Sequence, residues 1–196
     1  MNKINYELKY LDIINKLENK PKLLLHSCCA PCSSAVLTRV CEHFDVTVVY
    51  YNPNIFPQEE YLLRKNEQIK LLKKLNVNFL DCEYNYFDFK NFVAGLEDEP
   101  EGGKRCNKCF LLRLDYVAKK AKELGFNYFG TTLTISPHKN EQIINQIGEN
   151  LQDKYKINYL FADFKKKNGF LNSIKLSKQY NLYRQDYCGC EFSKIN

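Results

Sequence analysis

No glycine precedes Gly95 in this 196-residue chain. That absence excludes the glycine cradles, G-x-x-x-x-G-K-S/T and G-x-G-x-x-G, that let a backbone wrap nucleotide phosphates at the first strand-to-helix turn of an α/β protein. Nor does any run approach the roughly twenty apolar residues needed to cross a bilayer. Met1 to Lys20 intersperses charged and apolar residues and has no signal-peptide core, so the expectation is a cytoplasmic protein with no membrane partner. Internal repeats and low-complexity segments are also missing. The net charge of +6 favours a polyanionic partner without identifying one.

What the chain has instead is sulfur. It carries nine cysteines, and in a reducing compartment clustered cysteines read as metal ligands or redox pairs before they read as a disulfide framework. Seven of the nine are clustered: Cys28, Cys29 and Cys32; Cys106 and Cys109; Cys188 and Cys190. Cys41 reads as a small core residue, and Cys82 falls at a strand end where ligands bind.

Strand and helix patterns alternate along the chain. A helix is expected over Ile4 to Lys20, with Ile4, Leu8, Leu11, Ile14 and Leu17 inward. A first strand, Lys22 to His26, leads through the turn His26-Ser-Cys-Cys-Ala-Pro-Cys32 into a helix from about Ser33 to Phe44. The second strand is Asp45 to Tyr51, followed by a Pro53/Pro57 loop. A helix from Gln58 to Leu75 should bury Tyr61, Leu62, Ile69, Leu72 and Leu75 and leave Arg64 and the lysines outside. Val77 to Cys82, Tyr128 to Thr132 and Ile157 to Phe161 supply three further strands. Helices are expected over Asn85 to Gly95, Cys106 to Leu124 (stopped by Gly125) and Pro137 to Leu151. This alternation predicts one α/β domain over 1–196, a doubly wound, mainly parallel five-stranded sheet with helices on both faces. Residues 163–196 form a C-terminal helical segment completing the site.

In open α/β sheets ligands bind at the carboxyl ends of the strands, where the cysteine turn sits. Two thiols from that turn and two from Cys106/Cys109 make the four that a cubane iron-sulfur cluster or a structural zinc takes. Any two of Cys28, Cys29 and Cys32 could serve. Cys106 and Cys109 share the first turn of a helix, whose dipole favours thiolate. Cys188-Gly189-Cys190 can form a strained, easily reduced disulfide or simply supply two more thiols. His26 and His138 are candidate site residues by position, and His43 is structural. The tail mixes cations and rings that can hold phosphates and stack unpaired bases: Lys165, Lys166, Lys167, Phe170, Tyr183 and Arg184.

Five spaced motifs carry a resemblance: His26-Ser-Cys-Cys-Ala-Pro-Cys32, Tyr51-Asn-Pro-Asn-Ile-Phe-Pro57, Glu101-Gly-Gly-Lys-Arg-Cys-Asn-Lys-Cys-Phe110, Thr131-Thr-Leu-Thr-Ile-Ser-Pro137 and Leu182-Tyr-Arg-Gln-Asp-Tyr-Cys-Gly-Cys190. Together they resemble the epoxyqueuosine reductases of the QueH type, from about residue 22 to the end, with the first helix outside the match. The resemblance implies a sheet of the adenine-nucleotide hydrolase-like (HUP) kind with its phosphate loop replaced by the cysteine turn. It implies two-electron removal of the epoxide oxygen of epoxyqueuosine at the wobble position of tRNA, the last step to queuosine, without cobalamin and with electrons from an unidentified donor. By motif, Cys28, Cys29, Cys106 and Cys109 would hold a [4Fe-4S] cluster, with Cys32 as alternate ligand. Cys188 and Cys190 would be a redox-active disulfide. An additional iron ion beside the cluster is a further expectation. Candidate proton donors to the departing oxygen are Asp81, His138, Asp186 and Tyr187. The competing reading is a zinc-binding tRNA sulfur-transfer or binding protein.

Overall fold

Leu23, Leu24 and Leu25 fill the centre of strand β1 (Lys22–His26), and all three are fully buried. An unbroken apolar run suits a strand covered on both faces, as in a parallel sheet between two helix layers. The computed structural model describes residues 3–193; the outermost residues of the two expected end segments, 1–2 and 194–196, lie outside the described residues. The remaining strands are β2 (Asp45–Val49), β3 (Asn78–Leu80), β4 (Tyr128–Thr131) and β5 (Asn158–Tyr159). They form one five-stranded sheet of order β3-β2-β1-β4-β5, every neighbouring pair parallel. The order reverses at β1, so the crevice outside its carboxyl end is the sheet's switch point.

The helices are α1 (Tyr6–Asn15), α2 (Ala30–Val40), α3 (Gln58–Leu75), α4 (Tyr86–Phe92), α5 (Lys104–Glu123), α6 (Glu141–Tyr155) and α7 (Gly169–Gln179). Leu23 and Leu25 face a core shared with α1, α2, α3 and α7, while Leu24 faces the core of α5 and α6. The sheet is therefore covered on both sides, as the alternating pattern requires. Among the described residues no helix is long and apolar enough to cross a membrane.

Several boundaries differ from the sequence expectation, each for a local reason. Helix α2 starts at Ala30, three residues early, because Pro31 fits the first turn, where its missing N–H costs nothing. Helix α6 starts at Glu141 and not at Pro137: Asn140 Oδ1 accepts from the N–H groups of Gln142 and Ile143 at 2.9 and 3.4 Å, fixing the cap there. Helix α1 buries Tyr6 and Tyr10, against Phe161 and Phe164, and leaves Ile4 and Leu8 outside. Leu62 and Leu124 are exposed, whereas Arg64, expected outside, is 2% exposed. The stop at Gly125 holds as expected: its φ of +71° lets Phe126 N–H reach Ala121 O at 2.9 Å and Gly125 N–H reach Lys122 O at 3.4 Å, a Schellman closure.

The start of α6 is also tied down electrostatically. Glu141, 6% exposed, meets Lys3 Nζ at 2.8 Å and Lys165 Nζ at 2.9 Å. Burial alone would raise its carboxyl, but the lysine hydrogen bonds outweigh burial and hold it at about 2, against an ordinary 4.5. A folded-state pKa below the unfolded one contributes stability that is complete above the unfolded value and is lost as pH falls through the folded one. Urea midpoints should therefore fall less steeply between about pH 4.5 and pH 2 in Glu141→Gln than in the parent chain; identical slopes would show the pair contributes nothing.

Candidate metal centre and its cavity

The turn after β1 is anchored on both sides before any sulfur is placed. Ser27 N–H donates to Val49 O at 3.0 Å, and Thr132 N–H donates to His26 O at 2.9 Å, so the chain leaves the sheet between the ends of β2 and β4. Beneath it lies a buried polar net: the Ser27 and Ser33 hydroxyls are 2.5 Å apart and reach Gln68 Oε1 at 2.6 and 3.0 Å. Asn52 Nδ2 donates to Ser27 O at 2.8 Å. His26 is part of this frame. Its Nε2 lies 3.1 Å from Tyr51 O, which can only accept, so Nδ1 accepts from Thr131 Oγ1 at 2.9 Å; burial lowers the imidazole to about 3 and keeps it neutral.

On that frame Cys28, Cys29 and Cys32 bring their sulfurs within 4.8 Å of one another. Cys28 is the thiol poised to ionise: hydrogen bonds from Cys29 and Cys32, helped by Lys139 and Thr132, push it well below its ordinary value. Its partners go the other way, Cys29 up to about 12 and Cys32 well above its ordinary value, both chiefly through the hydrogen bond with Cys28. The hydrogen bonds within the triad thus favour ionisation of Cys28 over that of Cys29 and Cys32.

Cys106 lies in the first turn of α5, where Gly102 N–H donates to its sulfur at 3.2 Å. Cys109 is buried one turn on, beside Phe89, Val93 and Cys190. The expectation that the helix start lowers these thiols fails, because burial dominates: it raises Cys106 and carries Cys109 up to about 11. Cys188 lines the cavity, while Cys190 is buried in that apolar cluster and raised to about 12 by burial. All nine cysteines are free thiols.

Of the cations that line the cavity, the sequence pointed to Arg184 but not to Arg64, Arg113 or Lys139. Arg113, on α5 four residues after Cys109, is 2% exposed and has no carboxylate partner among the described residues. It donates through Nε to Cys109 O at 3.3 Å and through Nη1 to Asn52 Oδ1 at 3.2 Å, leaving Nη2 buried without a hydrogen-bond partner. Burial works against its charge, and the sulfurs of Cys109, Cys188, Cys28 and Cys106 outweigh burial and raise it. Lys139 is likewise held up, against burial, by Cys188, Cys28 and Cys32. Arg113, Lys139 and Cys188 line the same cavity as Cys28, Cys29 and Cys32, whereas Cys106 and Cys109 belong neither to the close sulfur group nor to the cavity lining. The i+4 spacing of Arg113 from Cys109 was the only available sequence signal.

The cavity above the triad has a volume of about 280 Å³, and Arg64, Arg113, Lys139, Arg184, Asp186 and Tyr187 are among its lining residues. His138 and Phe170 line it too. Asp81 does not: it pairs with Lys65 at 2.5 Å, beside the edge strand β3. Cys82 likewise stays outside, donating to Tyr50 O at 3.4 Å. Of the tail residues, Lys165 spends its ammonium on Glu141 at 2.9 Å and Asp163 at 3.3 Å, and Lys167 lies 3.7 Å from Glu7. Lys166, Tyr183 and Arg184 are exposed, the last with its guanidinium 5.4 Å from the Phe170 ring centre.

The chain is similar to known proteins over nearly its whole length. Residues 23–196 match the family model for epoxyqueuosine reductase QueH. An epoxyqueuosine reductase QueH from Staphylococcus epidermidis is 43% identical over 98% of this chain and 86% of its own. One from Thermotoga maritima is 35% identical over 88% of this chain and 90% of its own. Among solved structures, the U34-tRNA thiolase NcsA from Methanococcus maripaludis, determined with its [4Fe-4S] cluster, superposes with a TM-score of 0.61 at 11% identity, covering 97% of this chain and 67% of that one. That likeness is one of fold. The family match and the identities over most of both chains establish that this chain belongs to the epoxyqueuosine reductase QueH family.

Proposed function

We propose that the chain is a cytoplasmic, iron-sulfur-dependent reductase that removes the epoxide oxygen of epoxyqueuosine in the wobble position of tRNA to give queuosine. The observation that carries the reading is the gathering of the Cys28, Cys29 and Cys32 sulfurs within 4.8 Å of one another, at a cavity that the buried Arg113, its Nη2 without a hydrogen-bond partner, also lines. A guanidinium sealed from water needs an anion, and thiolates holding an iron-sulfur centre are the anion this donor set can make. The residues therefore fit the group. Cys28, Cys29, Cys106 and Cys109 would hold a [4Fe-4S] cluster; Cys32, close to the first two, is the alternate ligand and otherwise a thiol free to meet an additional iron ion. When bound, such a cluster supplies electrons and a Lewis-acidic iron.

The rest of the chemistry belongs to the chain. Removing the oxygen breaks two carbon-oxygen bonds, forms a carbon-carbon double bond, and consumes two electrons and two protons as the oxygen leaves as water. His138, Asp186 and Tyr187, which line the cavity, would hold those protons. Cys188 and Cys190 would relay electrons from a donor by passing between dithiol and disulfide. Arg184, Phe170 and Tyr183 would hold the splayed anticodon by charge and stacking, with Lys166 on its phosphates and Lys165 and Lys167 serving mainly the fold. The chain would work as one α/β domain whose C-terminal segment closes the site.

Anaerobic reconstitution with iron and sulfide, followed by assay on tRNA bearing epoxyqueuosine, tests the reading. A brown protein that forms queuosine is expected; a colourless zinc protein without this activity would end it. Serine at Cys28, Cys106 or Cys109 should each abolish the visible absorption and lower activity by at least about a hundredfold. For the nucleic-acid face, Arg184→Glu should weaken tRNA binding at low salt and reduce the slope of log K against log salt by about 1, as expected for one lost phosphate contact. An unchanged slope would remove Arg184 from the interface.

A further inference from the structure

Arg64 is buried in α3, yet its contacts run to the C-terminal segment. Its Nε donates to Glu60 Oε1 at 2.6 Å, one helical turn back, which fixes the plane of the guanidinium. Its Nη1 donates to Cys188 O at 3.1 Å, and the Tyr187 ring centre lies 5.0 Å from its Cζ. The same segment is held beside it: Phe56 N–H donates to Gly189 O at 2.9 Å, and Tyr183 OH donates to Glu60 Oε1 at 3.1 Å. Gly189 is required by this fit. Its φ is +101°, and a Cβ there would stand 2.9 Å from Arg64 Nη1 and 3.1 Å from Ile55 Cγ1. The remaining nitrogen, Nη2, is buried without a hydrogen-bond partner, and Arg64 and Cys188 line one cavity with Cys28, Cys29 and Cys32.

We propose that Arg64 is the positioning residue that seats the Tyr187-Cys188-Gly189 strap on α3 and thereby presents the Cys188 thiol to the cysteine turn. A main-chain carbonyl held by an oriented guanidinium fixes the backbone on which Cys188 is carried. Cys190, by contrast, is fixed independently by its apolar cluster. Arg64 touches no reacting atom in this assignment and acts through Cys188. The proposal rests on the reading of Cys188 as a working thiol of the reductase.

The test uses the iron-reconstituted full chain and its Arg64→Met, Arg64→Lys and Gly189→Ala variants. Two quantities are measured: the iodoacetamide alkylation rates of Cys188 and Cys190 by peptide mass spectrometry, and kcat and KM on epoxyqueuosine tRNA. Arg64→Met and Gly189→Ala should each speed Cys188 alkylation by about tenfold while leaving Cys190 within about twofold. Both should lower kcat about tenfold with KM little changed, and lysine at 64 should recover part of each effect. Wild-type labelling of Cys188 in both variants, or equal acceleration at Cys190, would overturn the seat. If Arg64→Met does not fold, Gly189→Ala, which disturbs the same contact from the opposite side, decides it. If the parent enzyme does not convert the tRNA, the functional reading fails, and the two labelling rates still judge the strap.

Discussion

A positive charge without a carboxylate, closed off from water, governs this molecule. Leaving an ion of that kind unpaired in the interior costs several kcal/mol even after relaxation, comparable with the roughly 5–15 kcal/mol by which a whole domain is stable. Arg113 has only two carbonyl-type acceptors, Asn52 Oδ1 and Cys109 O, and no acidic partner among the described residues. What holds its charge against burial is sulfur, from three distant stretches of chain: Cys28, Cys106 with Cys109, and Cys188 each raise its pKa. The fold is what makes those stretches meet.

The sheet does this through its topology. With β1 central and the strand order reversing there, the turn after β1 opens between the ends of β2 and β4. The layer of α5 and α6 covers one face and brings Cys106, Cys109 and Arg113 to the same edge. The other layer brings α3, whose Gln68 supports the floor of the turn and whose Arg64 reaches the C-terminal strap. A glycine loop would have offered backbone amides to a phosphate. Here, the position holds side-chain sulfur, supported by Ser27, Ser33 and Gln68, none of which needs glycine's freedom.

Local patterns in the sequence were enough for the sheet and for the sulfur. The three leucines of β1, the β-branched run of β2 and the stop at Gly125 depend on short-range chemistry, and the clustered cysteines announce themselves. What was not legible depends on contacts between remote residues. Arg64 falls among lysines in a charged helix and read as a solvated face, because no helical periodicity says that residues 183–189 will lie across it. Arg113 was hidden for the same reason. Asp81 looked well placed at a strand end, but β3 is the edge strand, and Lys65 takes its carboxylate away from the cavity. The dipole argument for Cys106 and Cys109 was sound locally and lost to burial, a term set by the tertiary fold.

Mutual compensation between Arg113 and an anionic thiolate centre is a coupling that a thermodynamic cycle measures without any assay of turnover. Melting temperatures of metal-free and anaerobically iron-loaded protein are taken for the parent chain and for Arg113→Met, which keeps the apolar stem and removes the charge. Iron loading should raise the melting temperature clearly less in Arg113→Met than in the parent. An equal rise in the two proteins would contradict it.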